Sequence, residues 1–412
     1  MRSLGFGALI AVVVMGGCQS NAQKKLDRSA VAMQSCAEKQ ALRPQEEQKI
    51  RQEIGAEDKI AKIESIVRAK VRAGFNGTVL VAQRGVILYQ HAFGLAHFER
   101  SERDSVRLDS KFQLASLSKT FTAVATLKLV EAGKVKLDDS VQRFIPEFPY
   151  RGIKVSDLLS HRSGLPNYAY AFDDSMKHNF YNRQKPYPTN ETILRWLATV
   201  NPKIPRYNVP GRTFSYSNTN YMVLASIIER ASKQPFEQFL KKNIFDPLGM
   251  RNTFVATTKN DSINIRKTAG YQWNRRIPKD YYDDVVGDKG IYSTVGDLFK
   301  WYLALNGDCL IRRNLLLEAF TPRSFERKGV RNYGYGFRMH INAENKPDYI
   351  YHTGWWKGYN SMFWFSPKDE FVVILLSNRY NKSVYNIREL LEVLHGHPAH
   401  TTSEAETGEV EI

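Results

Sequence analysis

The chain has 412 residues, 59 Lys and Arg against 42 Asp and Glu, and a formal net charge of +17. Its 42% hydrophobic and 12% aromatic content suffices for a sizeable core, which excludes a disordered, collagenous or disulfide-stapled miniature chain. Its three cysteines, Cys18, Cys36 and Cys309, contain no C-x-x-C pair, which excludes a zinc ribbon.

The chain opens with Met1-Arg2 and an apolar run over 4–17, too short to span a bilayer unaided. Gly16-Gly17 before Cys18 resembles a bacterial lipoprotein signal in which Cys18 is acylated, although Met15 stands where leucine is usual. A plain secretory signal or an uncleaved anchor is the alternative, and each of these exports the domain. The expected organisation is a signal peptide over 1–17, a polar tether over 18–56, a main domain over 57–395 and an acidic, disordered tail over 396–412. The location expected is the cell envelope, facing the periplasm. The positive charges are scattered and mixed with acids, so with export they argue against a nucleic-acid partner and for attraction to an anionic envelope. Cys36 and Cys309 could pair, or both could be free thiols.

Ile60, Ile63, Val67 and Val71 recur at helical spacing over 57–73, and Gly74 can end that helix. GTVLVA and VILYQH flank Gln83-Arg84-Gly85 as a hairpin. Near the other end YIYHTGWW, NSMFWFS and FVVILLSN are strand-like, the last two joined by Pro367-Lys368-Asp369. Strands at both ends with helices between predict an α/β (α+β) domain. One antiparallel sheet is built from both chain ends and flanked by helices, with a mostly helical region inserted.

Three short motifs carry chemistry. Ser116-Leu117-Ser118-Lys119 opens the helical run SLSKTFTAVATLKLVEAG, which puts Lys119 one turn after Ser116 on the same face. A serine hydroxyl becomes a nucleophile when a neighbouring base takes its proton, and a helix N-terminus offers N–H groups to an oxyanion. The bland alternative is an N-cap serine and a solvated lysine. Tyr216-Ser217-Asn218 precedes the apolar helix NYMVLASIIERA. Tyr216 would carry a proton beside the nucleophile and the Asn218 amide would grip a substrate carbonyl, or Ser217 or Asn218 is simply an N-cap. His352-Thr353-Gly354 lies on a predicted strand, with His352 and Gly354 on one face. It can equally be a structural histidine beside a glycine that admits a close neighbour.

Together, in this order, S-x-x-K, Y-x-N and H-x-G resemble the serine hydrolases of the class C β-lactamase and DD-peptidase superfamily. LLSHRSGLP at 158–166, GDKGIYSTVGDLFKW at 287–301, YGYGF at 333–337 and the Phe93-Gly94 hairpin are similar too, so the resemblance spans 57–395. It implies that Ser116 is acylated and that Lys119, helped by Tyr216, takes its proton. It also implies an oxyanion hole from the Ser116 and Trp355 N–H groups. His352 and Thr353 would line the opposite wall, and Gly354 would let substrate approach the strand. His161, in the 158–166 run, is expected to be a structural turn residue. No metal or cofactor is called for. Histidine replaces the lysine of typical β-lactamases, which favours a peptide, amide or ester substrate, DD-peptidase-like and cell-wall derived in the leading case. A weak β-lactamase or a catalytically silent envelope scaffold is the alternative. If His352 faced the cleft, an imidazolium below pH about 6.5 would attract a substrate carboxylate.

Overall fold

A computed structural model describes residues 42–99, 104–171, 187–200, 208–257 and 267–396. The expected signal peptide, the part of the tether that holds Cys18 and Cys36, and the tail from 397 lie outside the described residues. Cys309 is disulfide-bonded.

Helix α1 spans Pro44–Glu53 and α2 spans Ala56–Arg72. Part of the expected tether is therefore a docked helix: Arg51 Nη2 donates to Ile87 O at 3.1 Å, and Glu53 pairs with Arg84 at 2.7 Å. In α2, Ile63 and Val67 are fully buried while Ile60 and Val71 sit half-buried at the stripe's edge. Gly74, at φ +93°, turns the chain out of the helix.

The hairpin follows as β1 (Gly77–Gln83) and β2 (Val86–Phe93). The middle of the chain supplies helices α3 (Ser118–Glu131), α4 (Asn218–Ser232) and α5 (Val295–Asn306). Strands β3 (Arg331–Tyr333), β4 (Arg338–Ile341), β5 (Pro347–Trp356), β6 (Tyr359–Ser366) and β7 (Phe371–Ser377) come next, then α6 (Arg388–His395). The seven strands form one antiparallel sheet in the order β3-β4-β5-β6-β7-β1-β2. Gly77 pairs with Ser377 and Gln83 with Phe371, so the two ends of the chain meet at the β1–β7 seam. The expected α+β architecture is the one observed.

Every residue of β1, β6 and β7 is buried, because both sheet faces are covered. Their side chains therefore read as continuous apolar runs rather than alternation. Val79, Val373 and Leu375 pack under Ile63, Val67 and Leu391 of the outer helices. Leu80, Phe363 and Ile374 face the larger core, which contains α3, α4 and α5. Helix α3 is buried on nearly all sides, and Phe121 stacks on Trp301 with ring centroids 4.2 Å apart. Among the described residues no helix is long and apolar enough to cross a membrane.

Candidate active site

The serine sits on a tight turn rather than on the first turn of a regular helix. Ala115–Leu117 form a single 3₁₀ turn that leads into α3, and Ala115 takes the left-handed region at φ +49°. A non-glycine residue there costs about 1–2 kcal/mol, so its surroundings must hold it. They do: Leu114 N–H donates to Ile291 O at 2.8 Å, and Ser361 Oγ donates to Leu114 O at 2.6 Å. The strand β5 closes against the same turn. A Cβ on Gly354 would lie 2.1 Å from Leu114 O and 3.0 Å from Ser116 N. Gly354 thus admits the backbone that carries Ser116, which replaces the expectation that it makes room for substrate.

Lys119 is fully buried one turn on. Its Nζ donates to Ser116 Oγ at 2.9 Å, Asn218 Oδ1 at 2.8 Å and Asp288 O at 3.0 Å. Three donors meet three acceptors, which leaves the ammonium satisfied although it is out of water. The solvated-lysine alternative is thereby removed. Asn218 is the first residue of α4, and Ser217 holds the N-cap position without capping through its side chain, which bonds Pro166 O instead. The Tyr216 ring is approached by two cations, Lys119 Nζ at 5.0 Å and the Arg338 guanidinium at 5.3 Å from its centroid.

His161 supports this wall from behind. It is buried at φ +54°, its ring lies 4.3 Å from that of Tyr216, and its Nδ1 accepts from Ser217 N–H at 3.2 Å. Burial first, then the neighbouring cations of Lys119 and Arg338, hold it well below the usual histidine range.

The cleft is lined by Ser116, Tyr216, Asn218, Arg338, Thr353 and Trp355, among others. His352 is absent from this wall, and the expectation that it faces substrate is corrected. Along β5, Thr353 and Trp355 line the cleft, while Gly354 is buried against the serine turn and His352 is buried beside Tyr333. His352 Nδ1 donates to Thr353 O at 2.6 Å, so Nε2 is the acceptor for the Tyr333 hydroxyl at 3.3 Å. Burial, with Arg338 and Lys119 adding to it, holds His352 well below its ordinary value. The imidazole is neutral and structural, and the pH-gated attraction of a carboxylate does not follow.

Two features escaped the sequence reading. Arg338 directly follows YGYGF, and its pairing with Tyr351 sets it two positions from Thr353. Asp288 and Lys289 belong to the GDKG run and form a buried cluster beside the cleft. There the Tyr168 hydroxyl donates to Asp288 Oδ2 at 2.9 Å and accepts from Lys289 Nζ at 2.5 Å. The cluster holds the segment whose backbone carbonyl orients Lys119. Only the unusual adjacency of two opposite charges before Gly290 hinted at it.

His161 and His352 set a pH dependence of stability. Both folded-state values lie below the roughly 6.5 of an unfolded histidine, so the unfolded chain takes up protons first as pH falls. His340 adds to this, since burial and Arg331 pull it down to about 4. The stabilisation is complete above about pH 6.5 and is lost below it, at up to about 1.4 kcal/mol per pH unit for each histidine. Thermal unfolding should show Tm falling from pH 7 to pH 5, with a shallower fall in His352→Gln. Equal slopes in the two proteins would contradict this assignment.

A buried lysine bonded to a serine hydroxyl, a tyrosine just before a second helix, an asparagine that opens that helix, and a strand closing the cleft define a serine-hydrolase site on an α+β fold. Comparison with known proteins agrees. The beta-lactamase family profile matches residues 63–395, and the chain belongs to that family of serine hydrolases. It is 34% identical over 342 residues to a penicillin-binding protein of Bacillus subtilis (strain 168), covering 79% of this chain and 73% of that one. It is 25% identical over 311 residues to a D-aminopeptidase of Brucella anthropi, covering 74% and 56% respectively. The solved octameric penicillin-binding protein homologue from Pyrococcus abyssi superposes with a TM-score of 0.69 at 26% identity, over 83% of this chain and 79% of that one.

Proposed function

We propose that this hydrolase cleaves D-amino-acid-containing peptides, DD-peptidase-like, through an acyl-enzyme on Ser116. The observation that carries the reading is the 2.9 Å contact between Lys119 Nζ and Ser116 Oγ, made inside a fully partnered, buried lysine site. The similarity to a penicillin-binding protein and a D-aminopeptidase supports the substrate class. In the acylation step the Oγ–C bond forms and the scissile C–N bond breaks. The hydroxyl proton passes to Lys119 in its neutral form and onward through Tyr216 to the departing amine. Water then cleaves the ester and restores Ser116. The N–H groups of Ser116 and Trp355 hold the oxyanion, and Asn218 Nδ2 and Thr353 orient the substrate. Fluorescent penicillin and a fluorophosphonate should label the wild type at Ser116 and leave Ser116→Ala unlabelled; equal labelling of both would end this reading.

Arg338 supplies the charge that His352 cannot. A guanidinium stays charged across the working range and can keep a stacked tyrosine while a carboxylate docks on its edge. A charged hydrogen bond contributes about 1.5–3 kcal/mol, or roughly tenfold to a hundredfold in affinity. The preference of kcat/KM for a D-Ala-terminated peptide over its C-terminal amide should therefore fall by about tenfold or more in Arg338→Gln. In the wild type that preference should stay flat between pH about 5.5 and 8. A preference untouched by the substitution would remove Arg338 from carboxylate recognition.

Export by the leader and acylation of Cys18 would hold the 57–395 domain at the cell envelope by a lipid anchor. Radiolabelled palmitate should enter the wild type and not Cys18→Ala.

A further inference from the structure

Beside the cleft lies a second cavity of about 590 Å³, within the roughly 300–1,000 Å³ usual for small-molecule sites. The two adjoin, and Tyr170, Trp355 and Trp356 line both. Tyr281, Tyr282 and Tyr380 complete an aromatic wall. Its rings are held in place: Trp356 Nε1 donates to Asp283 Oδ1 at 2.8 Å, and Trp355 meets Tyr380 edge-on at 6.2 Å. Tyr170 is 56% exposed and Tyr380 38% exposed, so both rings are accessible to a bound group. The charged pair in this wall, Lys357 and Asp280, cancels itself at 2.6 Å.

We propose that this annex is a subsite for a flat, apolar, ring-bearing group on the acyl side of the scissile bond. The inference rests on the acyl-enzyme reading above. Strand β5 crosses the cleft from Thr353 to Trp356, so a substrate lying along it has one end at Thr353 and Arg338 and the other at the annex. With the leaving group's carboxylate at the cationic end, the acyl portion enters the aromatic one. Binding energy gained there, remote from the reacting carbon, can be used in the transition state. The site therefore selects acyl groups by their size and flatness.

The test compares p-nitrophenyl 3-phenylpropanoate with p-nitrophenyl acetate, each rate corrected for hydrolysis by hydroxide. Burial of a phenyl ring should raise kcat/KM by about tenfold to a hundredfold in the wild type. Tyr170→Ala combined with Tyr380→Ala should cut that ratio several-fold, and Tyr170→Phe should keep it. A ratio near unity in the wild type, or one preserved in the double variant, overturns the annex. Because the readout is a ratio within each protein, a general loss of activity does not mimic the effect. Calorimetric binding of 3-phenylpropanoate to Ser116→Ala, weakened by Tyr170→Ala, tests the same surface without catalysis. Fluorophosphonate labelling of Ser116 with a flat acyl ratio would reject the annex alone. Absent labelling would reject the acyl-enzyme, and calorimetry would then decide the annex by itself.

Discussion

Lys119→Arg should lose at least about a thousandfold in kcat toward p-nitrophenyl acetate, within the range that a positioned general base contributes. Two physical reasons act together. A guanidinium does not give up its proton under any condition in which the protein is folded, so it cannot accept one from Ser116. It is also larger and planar, while the pocket around Nζ offers three acceptors at 2.8–3.0 Å arranged for a tetrahedral ammonium. Some donors of arginine would be buried without partners, at about 1–3 kcal/mol each. Lys119→Met separates the two effects, since it fits the volume and removes the base. Its Tm should stay nearer to the wild type while its kcat falls as far. More than about a tenth of wild-type activity in both variants would take the base role from Lys119, and Tyr216 would be the next candidate.

Gly354→Ala should harm catalysis and stability together. The added methyl would stand 2.1 Å from Leu114 O and 2.4 Å from Ser361 Oγ. Ser361 can rotate away, but the carbonyl belongs to the backbone that carries the nucleophile. The serine turn must therefore move, and a displacement near 1 Å costs about a hundredfold in rate. Overpacking of this kind also costs about 1–3 kcal/mol in stability. Gly133→Ala is the comparison: it too has positive φ, at +69°, yet nothing lies within 4 Å of its new Cβ. It should lose only about 1 kcal/mol, from backbone strain, with kcat unchanged. Stopped-flow acylation and differential scanning calorimetry on the two variants provide the check. A Gly354→Ala protein with wild-type values of both would show that β5 does not brace the serine turn.

Where neighbours in sequence are also neighbours in space, the sequence determined the outcome. Helical spacing set Ile63 and Val67 on the buried side of α2, and the three-residue step from Ser116 to Lys119 brought the hydroxyl and the amine within hydrogen-bonding reach. The strands at the two ends of the chain announced their shared sheet, because runs buried on both faces are apolar throughout. Alternation along β5 also correctly put His352 and Gly354 on one face. What it could not say is which face meets substrate. That was decided by distant segments: the serine turn, more than 230 residues earlier in the chain, packs on Gly354, Tyr333 packs beside His352, and Thr353 and Trp355 are left to the cleft. The charge of the cleft followed from the same packing: His352 became a buried, neutral prop, and Arg338 from the neighbouring strand lines the cleft. The Asp288, Lys289 and Tyr168 cluster likewise joins segments 120 residues apart. Spacing encodes which side chains share a face through local backbone geometry, whereas the burial of that face depends on distant segments that only the packed fold brings against it.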